Sequence, residues 1–145
     1  CLGWDTTALG LPMAKLPFTQ GRFEQHIEIP GVWLERGLID GQDQRLLDSP
    51  AGMAGQRCLA TLFFASGTAL PRAQREALLD SARACLQDHA LASTAGVTSP
   101  HPQLVVLRAL APHVEPAMQL LRSVRRSWRA QHWGLEAADP RIWAM

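Results

Sequence analysis

Between residues 23 and 29 apolar and polar side chains alternate. Phe23, Ile27 and Ile29 fall on one side and Glu24, His26 and Glu28 on the other, the period of a half-buried strand. Gln25 is the one polar residue on the apolar side. Residues 32–36, 45–48 and 57–66 read as further strands, the last with Leu59, Leu62, Phe63 and Phe64 suggesting burial on both faces. Gly and Pro recur at short intervals from Gly10 to Gly67, which leaves room only for short strands. From Pro71 the period lengthens to that of a helix: Leu78, Ala82, Cys85 and His89 recur at helical spacing, which predicts a first helix over 71–89. Residues 92–97 and 104–110 predict two strands of a hairpin around the turn Pro100-His101-Pro102. A second helix is predicted from near Pro116 to Gly134, with Val114, Met118, Leu121, Val124, Trp128 and Leu135 along its apolar stripe. Strands followed by helices predict an α+β class, mainly short β-strands with two α-helices in the C-terminal half, in a single domain over 1–145.

Composition narrows the class further. Hydrophobic residues make up 47% and charged residues 19%, the usage of a globular domain and not of a disordered or fibrous chain. No apolar run approaches the roughly 18 residues of a spanning helix, so neither membrane insertion nor secretion is expected. The formal net charge of +1 gives no global field to steer the protein toward nucleic acid or anionic lipid. Charge is nevertheless uneven: residues 1–100 carry 8 basic and 10 acidic groups, residues 101–145 carry 6 and 3. The basic end is therefore the C-terminal one. The three cysteines Cys1, Cys58 and Cys85 form no C-x-x-C pair, and an odd number cannot all pair within one chain, which points to a reducing setting. The chain enters at once into Leu2-Gly3-Trp4 from Cys1, and a preceding segment is expected.

Common enzyme signatures are missing. There is no phosphate loop, G-x-G-x-x-G fingerprint, G-x-S-x-G elbow or H-E-x-x-H helix. Period two does put Glu24, His26 and Glu28 on one strand face, where two carboxylates and an imidazole could take a divalent metal ion or exchange protons; a solvated strand face is the bland alternative. Cys85 and His89, four apart beside Asp88, have a spacing from which two side chains reach one metal, but they extend the Leu78 and Ala82 stripe and read as core, as does Cys58. Arg122, Arg125, Arg126 and Arg129 are placed on the second helix opposite Met118, Leu121 and Trp128, as a basic stripe that is either solvated or suited to an acidic protein partner. Trp128, Trp133 and Trp143 either close the core or anchor a partner.

Several stretches taken in order carry a resemblance: Gly21-Arg22-Phe23, Trp33-Leu34-Glu35-Arg36-Gly37, Leu46-Leu47-Asp48-Ser49-Pro50, Gly52 and Cys58-Leu59-Ala60-Thr61-Leu62. Leu2-Gly3-Trp4-Asp5, Leu9-Gly10, the arginine-rich second helix and the ending Pro140-Arg141-Ile142-Trp143-Ala144 extend it through essentially the whole chain. With these the chain resembles the C-terminal part of the urease accessory protein D (UreD, or UreH) family. The resemblance implies a non-enzymatic scaffold that sits on urease apoprotein, recruits a UreF-type accessory protein and through it a UreG-type GTPase, and helps insert nickel. It further implies a β-helix-like sheet decorated by helices, a cytoplasmic location, and nickel carried transiently with no cofactor permanently bound. Family members are about twice as long, so the N-terminal half is expected to be absent. Trp33, Glu35, Arg36, Asp48 and Arg57 match the family pattern, in which folding and nickel passage are not separable.

The leading expectation is therefore a urease maturation scaffold, with Glu24, His26 and Glu28 as a polar lining for nickel and the second helix as a partner surface. The alternatives are a small metal-dependent hydrolase working from the same strand face, with water as nucleophile, and an interaction module that touches no metal.

Overall fold

The computed structural model describes residues 1–136 and 138–139. The strands are β1 (Leu2–Ala8), β2 (Gly10–Leu11), β3 (Leu16–Pro17), β4 (Arg22–Ile29), β5 (Trp33–Asp40), β6 (Cys58–Ala65), β7 (Ala95–His101) and β8 (Leu104–Ala111). The helices are α1 (Gln44–Asp48), α2 (Arg72–Gln87) and α3 (Val114–Trp133), with one 3₁₀ turn over Pro12–Ala14. The class is α+β, as expected. Every paired strand runs antiparallel: β1-β6-β8-β7 form a four-stranded sheet, and β4-β5 and β2-β3 are separate two-stranded ribbons. Where the family resemblance implies a β-helix-like course, these residues contribute two stacked antiparallel layers.

The layering follows from the two-residue period of β6 and β8. Cys58, Ala60, Leu62 and Phe64, with Val105, Leu107, Ala109 and Ala111, face α2 and α3 and join the main core around Leu78, Leu120, Val124 and Trp128. The alternate residues face the β4-β5 ribbon, Leu59 and Leu110 toward a cluster around Ile39 and Leu47, and Phe63, Ala65, Leu104 and Val106 toward Trp33. Both faces of the two central strands are thus covered, which explains their unbroken apolar runs. The indole of Trp128 meets Phe64 edge-on, with ring centroids 6.3 Å apart, and donates to the carbonyl of Leu78 at 2.9 Å. That bond locks α3 to α2.

The elements depart from expectation at several places. Residues 45–48 are helical, because Asp43 accepts a hydrogen bond from the Leu46 amide at 2.9 Å and caps a one-turn helix. This one-turn helix stands in addition to the two expected toward the C-terminal half, which are α2 and α3. The 92–97 strand lies later, at Ala95–His101; it runs through Pro100 with a register shift between Thr98 and His101, and the turn falls at Pro102-Gln103. The second helix starts at Val114, and Leu135 lies beyond its left-handed C-cap, Gly134. Strand β1 had no counterpart in the sequence reading.

Candidate functional site

Glu24, His26 and Glu28 all lie on the outer face of β4, where the strand alternates exposed and half-buried positions as its sequence predicts. Their cross-strand neighbours on β5 are Leu38, Arg36 and Leu34. His26 Nε2 lies 3.3 Å from Glu28 Oε2, each side chain about half exposed. Glu24, His26 and Arg36 border an open recess of about 330 Å³ whose floor is Gly37, the position opposite Gln25 that carries no side chain. Among the described residues no three His, Cys, Asp or Glu side chains are grouped to hold a metal ion. His26 and Glu28 are therefore a two-donor pair open to water.

A second polar feature was not anticipated. Asp5, Thr61 and Arg108 are register partners across β1, β6 and β8, so they form a row across the sheet on the side facing the β4-β5 ribbon. From the ribbon, Gln25 Nε2 donates to Asp5 Oδ2 at 3.1 Å, and Glu35 accepts from the Arg108 guanidinium, whose Nε lies 2.8 Å away. Thr7 Oγ1 also donates to Asp5 Oδ2, at 3.2 Å. The row separates the two apolar clusters between the layers and borders a cleft of about 320 Å³ lined by Gln25, Glu35, Thr61, Thr94 and Arg108. The one signal for it in the sequence is Gln25, the polar residue on the apolar side of β4.

The family-pattern residues are largely joints of the fold. Trp33 is buried edge-on against Phe63 at 5.5 Å, with the Arg108 guanidinium 5.8 Å from its ring centre. Glu35 pairs with Arg108 as above. Asp48 Oδ1 lies 2.6 Å from Arg57 Nη2, and Arg57 Nη1 also donates to the carbonyls of Leu47 and Gln56, fastening α1 to the start of β6. Arg36 stays exposed opposite His26.

The arginines of α3 do not form one solvated stripe. Arg125 is buried at 8% exposure, because it lies four residues after Leu121 and three before Trp128 and so falls within the apolar face. Burial, with Arg129 and Arg126 nearby, holds its guanidinium below the usual range, while Asp139 pulls the other way. Both its Nη atoms point at the carbonyl of Ala138, at 3.4 and 3.5 Å, and Arg126 Nη2 lies 2.8 Å from Asp139 Oδ2. Arg122 and Arg129 are half-buried.

Other candidates resolve simply. Cys58 is fully buried and Cys85 packs at the edge of the main core; burial raises both thiol pKa values. His89 Nδ1 accepts from the Leu91 amide at 3.1 Å and so serves the turn after α2. Trp128 is core, and Trp133 stacks on Phe64 at 5.3 Å, meets His132 edge-on at 4.9 Å and stays 40% exposed. Trp143 and the ending 140–144 lie outside the described residues. No helix among the described residues is long and apolar enough to cross a membrane.

Residues 1–144 match the family model described as UreD urease accessory protein. The chain is 61% identical over 145 residues to the urease accessory protein UreD of Paracidovorax citrulli (strain AAC00-1) and 63% identical over 145 residues to that of Verminephrobacter eiseniae (strain EF01-2). It is 62% identical over 143 residues to that of Variovorax paradoxus (strain S110). These alignments cover 99 to 100% of this chain and 52% of each relative, so the chain spans about half the length of the curated relatives it matches. With the match running through all but the last residue, the chain belongs to the UreD urease accessory protein family.

Proposed function

We propose that this polypeptide is part of a non-catalytic urease maturation scaffold of the cytoplasm, which passes nickel to urease apoprotein and joins it to a UreF-type accessory protein and a UreG-type GTPase. The observation that carries the reading is the family match over residues 1–144. Nickel is cargo here and not a resident cofactor. The His26 and Glu28 pair, with Glu24 two residues back on the same exposed face, supplies one imidazole and flanking carboxylates, donors suited to divalent first-row ions. Two donors open to water would hold such an ion loosely, which suits transfer rather than storage. The exposed Arg126, flanked on α3 by the half-buried Arg122 and Arg129, supplies the partner surface, its positive charge fitting an acidic protein segment.

The test is co-expression of the protein with urease and the remaining accessory proteins, comparing the unmodified sequence with a His26→Ala, Glu28→Ala double variant. Lower nickel content in urease, with the accessory complex still assembled on size exclusion, is the expected result. Full urease activation by the double variant would remove the strand-face route. Failure of the unmodified sequence to support activation when carried within a chain of its relatives' full length would remove the scaffold reading itself.

A further inference from the structure

Gly134 ends α3 in a left-handed conformation (φ 62°), its amide bonding back to the carbonyls of Ala130 and Arg129. The chain then returns along the helix, so that residues 138 and 139 lie beside Arg125 and Arg126, thirteen positions earlier. One guanidinium takes a backbone carbonyl and the next takes a carboxylate. Two successive arginines reading a carbonyl and then an acidic side chain are the contacts by which a basic helix face holds an extended acidic peptide.

We infer that the α3 arginine face is a binding surface for an extended acidic peptide segment of a protein partner, and that the chain's own residues 138–139 occupy it in cis until such a segment displaces them. This rests on the partner role proposed above for the arginines and adds the chemistry of what they bind and what guards them. Charge complementarity favours the occupant: Arg122, Arg125, Arg126 and Arg129 fall within two turns of one helix, and the group seated on Arg126 is a carboxylate, that of Asp139. The guard is weak enough to yield. The Arg126 side chain is 56% exposed and that of Asp139 32%, and a pair so open to water holds its segment with little free energy.

The test uses the full 145-residue chain and a fluorescein-labelled hexaglutamate peptide, with binding read as anisotropy at low ionic strength. Asp139→Asn removes the carboxylate that occupies Arg126 and is expected to tighten peptide binding by about two- to five-fold. Glu136→Gln removes a charge from the same segment at a side chain with no ion pair among the described residues, and is expected to give no comparable gain. Arg126→Ala should weaken binding and cancel the gain from Asp139→Asn. Arg126 and Asp139 are surface groups, so these variants keep the fold, and circular dichroism verifies it. Equal affinity in Asp139→Asn and the unmodified chain would overturn the cis occupancy, and so would an equal gain from Glu136→Gln. Binding indifferent to Arg126→Ala would overturn the surface itself. No urease component enters the assay, so its failure is separable from failure of the maturation reading.

Discussion

Gln25 and Asp5 join the two layers of the protein: the amide Nε2 on β4 donates to the carboxylate Oδ2 on β1 at 3.1 Å. Asp5 also takes the Thr7 hydroxyl, so one carboxylate organises two donors at a place where the flanking contacts are apolar. Such a group is costly to remove alone, because its partners lose their acceptor without regaining bulk water.

Replacing Asp5 with Ala is therefore expected to lower stability by about 1–3 kcal/mol, and Asp5→Ala combined with Gln25→Leu to cost less than Asp5→Ala alone, since of its two donors only the Thr7 hydroxyl is then left without its acceptor. Urea unfolding of the two variants measures this. If the double variant is the less stable, the polar row is not the joint described here.

Gly52 follows α1 and closes its turn, its amide donating to the Ser49 carbonyl at 2.9 Å while Met53 donates to Leu46 at 2.8 Å. A Cβ at Gly52 would stand 2.1 Å from the Leu46 carbonyl oxygen, a backbone atom that cannot swing aside. Gly52→Ala should cost more than about 2 kcal/mol through displacement of this turn, whereas Gly55→Ala, with open space but a φ of 75°, should cost about 1 kcal/mol. Thermal unfolding ranks the two, and the reverse order would refute the clash.

What the sequence made legible follows from how much each segment's pattern owes to one neighbour. Strand β4 faces water on one side, so its alternation could be read directly. Strands β6 and β8 are covered on both sides, and their apolar runs showed that burial. Strand β1 escaped because its residues answer to two different layers: Gly3 lies under the Phe63 ring, Asp5 joins the polar row, and Thr6 donates to Met118 on the helix side. None of these is an apolar-polar alternation. Residues 45–48 escaped because Leu46-Leu47 looks like a strand unless Asp43 is recognised as a cap. The burial of Arg125 was available from its spacing to Leu121 and Trp128, but its charge drew it into the basic stripe. The Asp5, Thr61 and Arg108 row depends on strand register, which one sequence does not supply.

Thiol chemistry should separate the three cysteines. Cys1 is exposed, Cys85 intermediate and Cys58 buried, with both internal thiols raised above the ordinary value of 9.0 by burial, and Cys58 also by the nearby Asp5 charge. Native protein treated with a thiol-specific alkylating agent at pH 8 should label Cys1 first and Cys58 only on unfolding, as mass spectrometry of the digest would show. A thiol whose pKa is higher folded than unfolded stabilises the fold fully below the unfolded value, and the contribution is lost as pH climbs through the folded one. Stability should thus fall above about pH 9, and less steeply in Cys58→Ala after allowance for its own packing loss. Early labelling of Cys58 in the native state would contradict its place in the core.

The heaviest single joint is Trp128, which fills the space between α2, α3 and Phe64 with no exposed surface and spends its one polar atom on the Leu78 carbonyl. Trp128→Phe keeps most of the apolar volume but deletes the donor and leaves a void the size of the missing ring, for a loss of about 1–3 kcal/mol. Trp128→Ala adds a larger cavity and should cost about 3–5 kcal/mol. Trp133, by contrast, is 40% exposed and touches Phe64 and His132 with a ring that phenylalanine largely replaces, so Trp133→Phe should cost less than about 1 kcal/mol. Denaturant titrations of the three variants, followed by circular dichroism so that lost indole fluorescence does not distort the comparison, give the order directly. If Trp133→Phe proves as damaging as Trp128→Phe, then the helix layer is held from the exposed end of α3 and not from its buried middle.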